Sequence, residues 1–385
     1  MGSNGSAAPG ASAEGKRPRA HFDLGTEPAP AATDCEQRLL AIWEDVLDIE
    51  GLGVEDDFFE LGGDSLTGLT LFGEVEQQFG EALPLSTLID CPTVRLLAKQ
   101  LDRPAPQVQR PLVAIRGEGR RPPLFFAHTI LGDVLFVREF LAYFPADQPL
   151  YAIEARGLDG EDEPHTSFAE MAADFVQLIR RVQPRGPYFL AGLCDGSLTA
   201  VEIGRILRAA GEEVAFIGLI DPRTSPVEAP WLYWHRPDAP LTRLLRWTIR
   251  RGRHARRRLG PLIGWHPIEE TVERPVAGAK MKRRHAAIRA GMTAALEAYR
   301  PEPYGGSITI FASAHRVRQL SGRKPGWSSL AARWETHVVA EGHVQAFDTD
   351  LPRLGASLAE TLAKAQAASA EGLSTQPSSI RPQAA

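Results

Sequence analysis

Apolar residues recur with two different periods along this chain, and the change of period divides it. Between residues 34 and 101 the spacing is helical. Leu39, Leu40, Ile42, Trp43, Val46 and Leu47 share one face of a helix of about three turns. After a loop holding Gly51, Gly53, Gly62 and Gly63, a second helix begins near Ser65 and carries Leu66, Leu69, Leu71, Phe72, Val75 and Phe79. A third, from about Thr93 to Leu101, carries Val94, Leu96 and Leu97. The pattern predicts a small helical bundle, and an acidic one, with Arg38, Arg95 and Lys99 set against many carboxylates.

From residue 112 the pattern alternates. PLFFAH, LYAIEA, PYFLAG, VAFIGLID and SITIFAS are short apolar runs that predict buried strands. Phe168–Val182 and Leu198–Ala210 predict helices between them. Such alternation predicts a mostly parallel sheet with helices on both faces. Between Asp221 and Ser307 the rhythm breaks. An insertion with Trp231, Tyr233, Trp234 and an arginine cluster from Arg243 to Arg258 leads to a helix near Lys280–Tyr299. An insertion of that length in an α/β domain predicts a lid, at about 225–295. Its tryptophans would line an apolar pocket, and its arginines would meet an acidic partner or simply form a solvated face.

Composition sharpens the boundaries. Residues 1–33 and 367–385 are rich in Ala, Gly, Ser and Pro and predict disorder. LDRPAPQVQRP predicts a semi-rigid linker over 102–111, leaving domains at 34–101 and 112–366. Over the 385 residues, 43% are apolar and 24% charged, so compact cores can form. No long apolar run predicts a membrane span, and the N-terminus has no secretory pattern. The three cysteines, Cys35, Cys91 and Cys194, make no disulfide framework, which points to a cytoplasmic chain. Nothing suggests nucleic-acid or metal binding.

Two motifs carry chemistry. FFELGGDSLTGL is a Gly-rich turn running into a helix, with Asp64 at the N-cap and Ser65 expected exposed on the first turn. Simple capping would explain a bare Asp-Ser-Leu. The longer string, with Phe58, Phe59, Leu61, Gly62, Gly63, Asp64, Ser65 and Leu66 in pattern, resembles the phosphopantetheine attachment site of peptidyl and acyl carrier domains. CEQRLLAIWEDVL and PTVRLLAKQL resemble that family's first and last helices. The resemblance implies that a phosphopantetheinyl transferase places 4′-phosphopantetheine on Ser65.

The second motif is Gly192-Leu193-Cys194-Asp195-Gly196, between a predicted strand and a predicted helix. That is the context of a nucleophile elbow, with a cysteine where serine is usual. The helix N-terminus favours a thiolate there, although a free cysteine can also be buried structure. From about 111 to 366 the chain resembles the terminal thioesterases of nonribosomal peptide and polyketide synthetases, which have an α/β-hydrolase fold. PLFFAHTILGD resembles their oxyanion loop, and LEAYRPEPYGGSITIF resembles the segment leaving the lid. The resemblance implies Asp221 as the triad acid; a turn-capping aspartate before Pro222 is the alternative. It implies His343, in Glu341-Gly342-His343, as the base, with His315 and His337 as rivals. The backbone N–H groups of Asp195 and Ile130 would be the oxyanion donors. The Asp195 carboxylate would have to turn into solvent to spare a thiolate.

Together these imply an enzyme that takes an acyl or peptidyl chain from the arm on Ser65 onto Cys194. Release would follow by cyclisation, transfer or hydrolysis, the chain having come from upstream synthetase modules or other carriers. A sulfur nucleophile keeps the acyl group activated as a thioester, which suits transfer to an amine or hydroxyl. Two other readings stand beside it: a weak hydrolase-fold module that docks and presents a loaded carrier, and an editing thioesterase that clears misloaded ones.

Overall fold

The computed structural model describes residues 16–102, 111–222, 278–320, 327–342, 346 and 349–374. The chain forms two compact units, Met1–Pro106 and Gln107–Ala385.

In the first unit the helices are α1 (Asp34–Leu47), α2 (Ser65–Phe79), α3 (Thr87–Asp90) and α4 (Val94–Leu101). Their starts follow from capping side chains. Thr33 accepts from the Glu36 N–H, Thr93 from the Leu96 N–H, and Asp64 and Thr67 form a reciprocal capping box. The apolar faces read from the sequence meet in one core, where Leu39, Trp43, Phe58, Phe72, Val75 and Leu97 are fully buried.

Residues 16–33 were expected to be disordered, and the described part of that stretch is folded. β1 (Arg17–Pro18) pairs in parallel with β2 (Ile49–Glu50). The Arg19 guanidinium grips both oxygens of the buried Asp56 carboxylate, each at 2.7 Å. The Val54 N–H donates to the Ala29 carbonyl at 2.9 Å. Composition hid this because a few directed bonds, rather than apolar content, hold the segment.

The second unit is built on a seven-stranded sheet. Its strands are β3 (Leu112–Arg116), β4 (Leu124–Ala127), β5 (Leu150–Ile153), β6 (Tyr188–Leu193), β7 (Val214–Ile220), β8 (Tyr304–Ser313) and β9 (Ala331–Ala340). The order is β3-β5-β4-β6-β7-β8-β9, parallel throughout except for β3 against β5. The principal helices are α5 (Phe168–Val182), α6 (Gly196–Ala209), α7 (Ala279–Ala298), α8 (Ala314–Leu320), α9 (Trp327–Leu330) and α10 (Leu351–Ser374). The sheet is covered on both sides. Phe125, Tyr188 and Leu190 join the core under α5, α6 and α7. Their neighbour Phe126 instead packs on Phe136 and Phe140 of the 3-10 run Leu135–Tyr143. The tail expected to begin at 367 is helical as far as Ser374. The Ser369 hydroxyl donates to Glu213 at 2.8 Å, which ties that extension to the domain. The lid expected over about 225–295 falls outside the described residues up to 277; the helix at its end is α7.

Strand order places the site. β4 is followed by β5 on one side, and β6 by β7 on the other. The loops leaving the carboxyl ends of β4 and β6 therefore part, opening the crevice where ligands bind in sheets of this kind.

Candidate active site and carrier serine

Cys194 stands at that crevice, directly after β6 and two residues before α6. Its φ of 52° lies in the left-handed region, a strained setting for a residue with a side chain. Neighbouring bonds hold it there. The Cys194 N–H donates to the Ile220 carbonyl at 2.9 Å, the Ser197 N–H to the Cys194 carbonyl at 3.2 Å, and the Ser197 hydroxyl to the Gly192 carbonyl at 2.9 Å. The flanking glycines leave no room for side chains. A Cβ on Gly192 would lie 2.2 Å from the Gly196 carbonyl oxygen, and one on Gly196 would lie 2.5 Å from that of His128. The turn predicted from GLCDG is therefore an elbow, its cysteine half-buried at the mouth of the crevice.

Asp221 ends the neighbouring strand. Registers align Leu193 with Ile220 and Ile220 with Phe311, so Cys194 and Asp221 leave adjacent strands at one level. The Asp221 side chain is 1% exposed. Its Oδ1 accepts from the Ser313 N–H at 3.0 Å and the Ser313 hydroxyl at 3.3 Å, and the Arg316 guanidinium lies 3.6 Å from Oδ2. Two donors of Ser313 and the guanidinium of Arg316 thus face this carboxylate. Ser313 and Arg316 were not foreseen; no spacing in the sequence marks a partner across two strands.

His343 lies outside the described residues. The two residues before it do not: the Glu341 carbonyl accepts from the His315 N–H at 3.2 Å, beside the end of β8. Of the rivals, His315 is exposed at the start of α8. His337 stacks on Phe311 and faces Glu335 and Ser357.

Asp195 departs from expectation. It is 1% exposed, so its carboxylate does not turn into solvent. Ile130 sits half-buried in a turn, with the Gly132 N–H donating to the Thr129 carbonyl at 3.0 Å. The Ile130 N–H donates to nothing among the described residues. A short distance on, burial pushes the Asp133 carboxyl up to about 6.

In the first unit, Ser65 is the first residue of α2 behind the Asp64 cap. It was expected exposed; in fact it is half-buried, with Oγ covered and without a hydrogen-bond partner. Gly63 lies against Phe58, where a Cβ would stand 2.4 Å from the ring, and Leu66 is 56% exposed beside it. An unpartnered hydroxyl at a helix N-terminus fits a phosphodiester attachment, since the terminal N–H groups favour phosphate.

The comparisons with known proteins agree with this division. Residues 37–101 match the family model "Phosphopantetheine attachment site", and residues 122–249 match "Thioesterase domain". Malpinin synthetase of Mortierella alpina is 38% identical over 189 residues, covering 48% of this chain and 2% of that protein. Indigoidine synthase of Dickeya dadantii is 35% identical over 187 residues, covering 49% of this chain and 13% of that protein. The chain thus spans only a small part of these relatives. A four-domain nonribosomal peptide synthetase, solved in its holo form with AMP and glycine, has the same fold over 89% of this chain and 27% of its own, with a TM-score of 0.53 and 23% identity.

The chain is therefore a phosphopantetheine-attachment domain followed by an α/β thioesterase domain. It is related to nonribosomal peptide synthetases, and the first domain implies covalently attached 4′-phosphopantetheine. No described helix is long and apolar enough to cross a membrane.

Proposed function

We propose that this chain releases an acyl or peptidyl group from its own carrier domain through Cys194, acting with His343 and Asp221. The observation that carries the reading is the elbow. Cys194 is held at φ 52° at the crevice of the sheet, one strand from a buried and fully engaged Asp221.

Ser65 would hold the phosphopantetheine arm, which supplies a long tether ending in a thiol for thioester linkage. Tethering raises the substrate's effective concentration at the elbow to the ~mM range. Upstream synthetase modules or other carriers would supply the acyl group.

Cys194 passes its proton to His343 as its sulfur attacks the acyl carbonyl of the thioester substrate, forming a carbon–sulfur bond while charge collects on the carbonyl oxygen. The N–H groups of Ile130 and Asp195 receive that charge. The departing thiol takes its proton from His343, whose imidazolium Asp221 stabilises. In the second half, His343 removes a proton from the incoming hydroxyl, amine or water, and Cys194 leaves as the restored thiol. Exchange of one thioester for another is roughly neutral, so the acyl group stays activated on the enzyme. That favours cyclisation or transfer over hydrolysis.

The test is product analysis with one acyl thioester carrying an internal nucleophile. The wild type should give cyclised or aminolysed product. Cys194→Ser should still accept the chain but stall or drift to hydrolysis. Identical product ratios and rates in the two would make this a plain hydrolytic thioesterase.

A further inference from the structure

The most informative group outside the triad is His128. It follows β4 directly, is 1% exposed, and is set edge-on against Phe175 at 5.6 Å. One ring nitrogen is used and the other is not. Nδ1 lies 2.6 Å from the Thr129 carbonyl oxygen, while Nε2 is buried without a partner. A carbonyl only accepts, so Nδ1 must carry the hydrogen. The opposite tautomer would set two lone pairs together and bury an unpaired N–H. Burial holds the ring's pKa down to about 4, so the imidazole is neutral at neutral pH.

What Nδ1–H holds is more telling. The Thr129 carbonyl takes two hydrogen bonds, from His128 inside the fold and from the Gly132 N–H closing the turn. A trans peptide is planar, with its N–H pointing opposite to its carbonyl. Pinning the Thr129 oxygen toward the buried imidazole therefore aims the Ile130 N–H the other way. That donor has no acceptor among the described residues. The His128 carbonyl in turn packs against Gly196 at the start of α6, so this loop and the elbow share a backbone contact.

We propose that His128 is a positioning residue for the oxyanion site, its Nδ1–H fixing the Thr129–Ile130 peptide so that the Ile130 N–H faces the carbonyl oxygen attacked by Cys194. The inference rests on Cys194 as nucleophile, and it assigns the second donor's geometry to a side chain that never touches substrate.

The experiment compares two reactions of the same thiol in the full chain. Acylation by a simple acyl thioester of N-acetylcysteamine builds an oxyanion; alkylation by iodoacetamide displaces iodide at a saturated carbon and builds none. Both are followed at Cys194 by peptide mass mapping. His128→Leu should slow acylation by ~10 to 10³-fold, up to the loss of one oxyanion donor, with alkylation within about twofold of the wild type. His128→Asn, whose amide reaches about as far as Nδ1, should recover most of the acylation. His128→Gln, which carries its amide out to the Nε2 position, should remain slow and serves if the leucine variant fails to fold. Acylation unchanged in both Leu and Gln variants would overturn the proposal, as would acylation and alkylation falling together. A wild type whose Cys194 is alkylated but never acylated would instead overturn the nucleophile reading, and this proposal with it.

Discussion

Ser313 holds the Asp221 carboxylate from two sides, its N–H at 3.0 Å and its hydroxyl at 3.3 Å from the same oxygen. The contact joins the ends of β7 and β8, so the candidate acid is fixed by a strand other than its own. It also sets the effect of Asp221→Asn. The amide nitrogen would face either the Ser313 donors or the Arg316 guanidinium, leaving a buried donor unpaired at a cost of about 1–3 kcal/mol. Turnover should fall by up to ~10⁴-fold through the wrong imidazole tautomer, and the thermal midpoint should drop as well. Ser313→Ala keeps the backbone donor and should cost far less in both. Steady-state kinetics with melting curves check the pair; a fully active Asp221→Asn variant contradicts the assignment.

The unpartnered Ser65 hydroxyl gives the carrier prediction. With coenzyme A and a phosphopantetheinyl transferase, intact-mass analysis should show one added arm on the wild type and none on Ser65→Ala. Equal modification of both would place the attachment elsewhere. Because the replaced hydroxyl makes no hydrogen bond, the variant should retain the wild-type melting temperature to within a degree or two.

Acid should destabilise the thioesterase domain partly through His128. Its folded pKa, about 4, lies below the ordinary value of 6.5, so its contribution is whole above about 6.5 and is lost as pH falls toward 4. The full effect is on the order of 3 kcal/mol. His165 is the neighbouring titratable group that adds to it. Asp133 acts in the opposite sense. Its raised pKa, about 6, favours the fold at low pH, and that contribution is lost as pH rises through 6. Urea unfolding at pH 7 and pH 5 should therefore show a smaller loss for His128→Leu than for the wild type. Asp133→Asn should be the more stable protein at pH 7. A His128→Leu variant with the wild-type pH slope would contradict the buried neutral ring.

Much of this was legible in the sequence because it is local. Strand–turn–helix punctuation around GLCDG gave β6, the elbow and α6, and helical spacing gave α1, α2 and α4 nearly to the residue. What stayed hidden is held by pairing across distance. The antiparallel edge strand β3 has no helix before it to mark it. Residues 16–33 fold through Arg19 on Asp56. Ser313 and Arg316 meet Asp221 only once β7 and β8 are side by side. Charge alone said that Asp195 would have to turn into solvent to spare a thiolate, yet its place at the start of α6 buries it. Tertiary packing decided that position against the local preference.

Release through Cys194, as proposed, requires an acyl-enzyme on its sulfur. The measurement is rapid chemical quench of the full chain with an acyl thioester, followed by peptide mapping of the adduct. A transient acyl mass should appear on the peptide containing Cys194, absent in Cys194→Ala and persistent in Cys194→Ser, with Cys35 and the buried Cys91 unmodified. Product released at the wild-type rate by Cys194→Ala, with no adduct at this position, would contradict it.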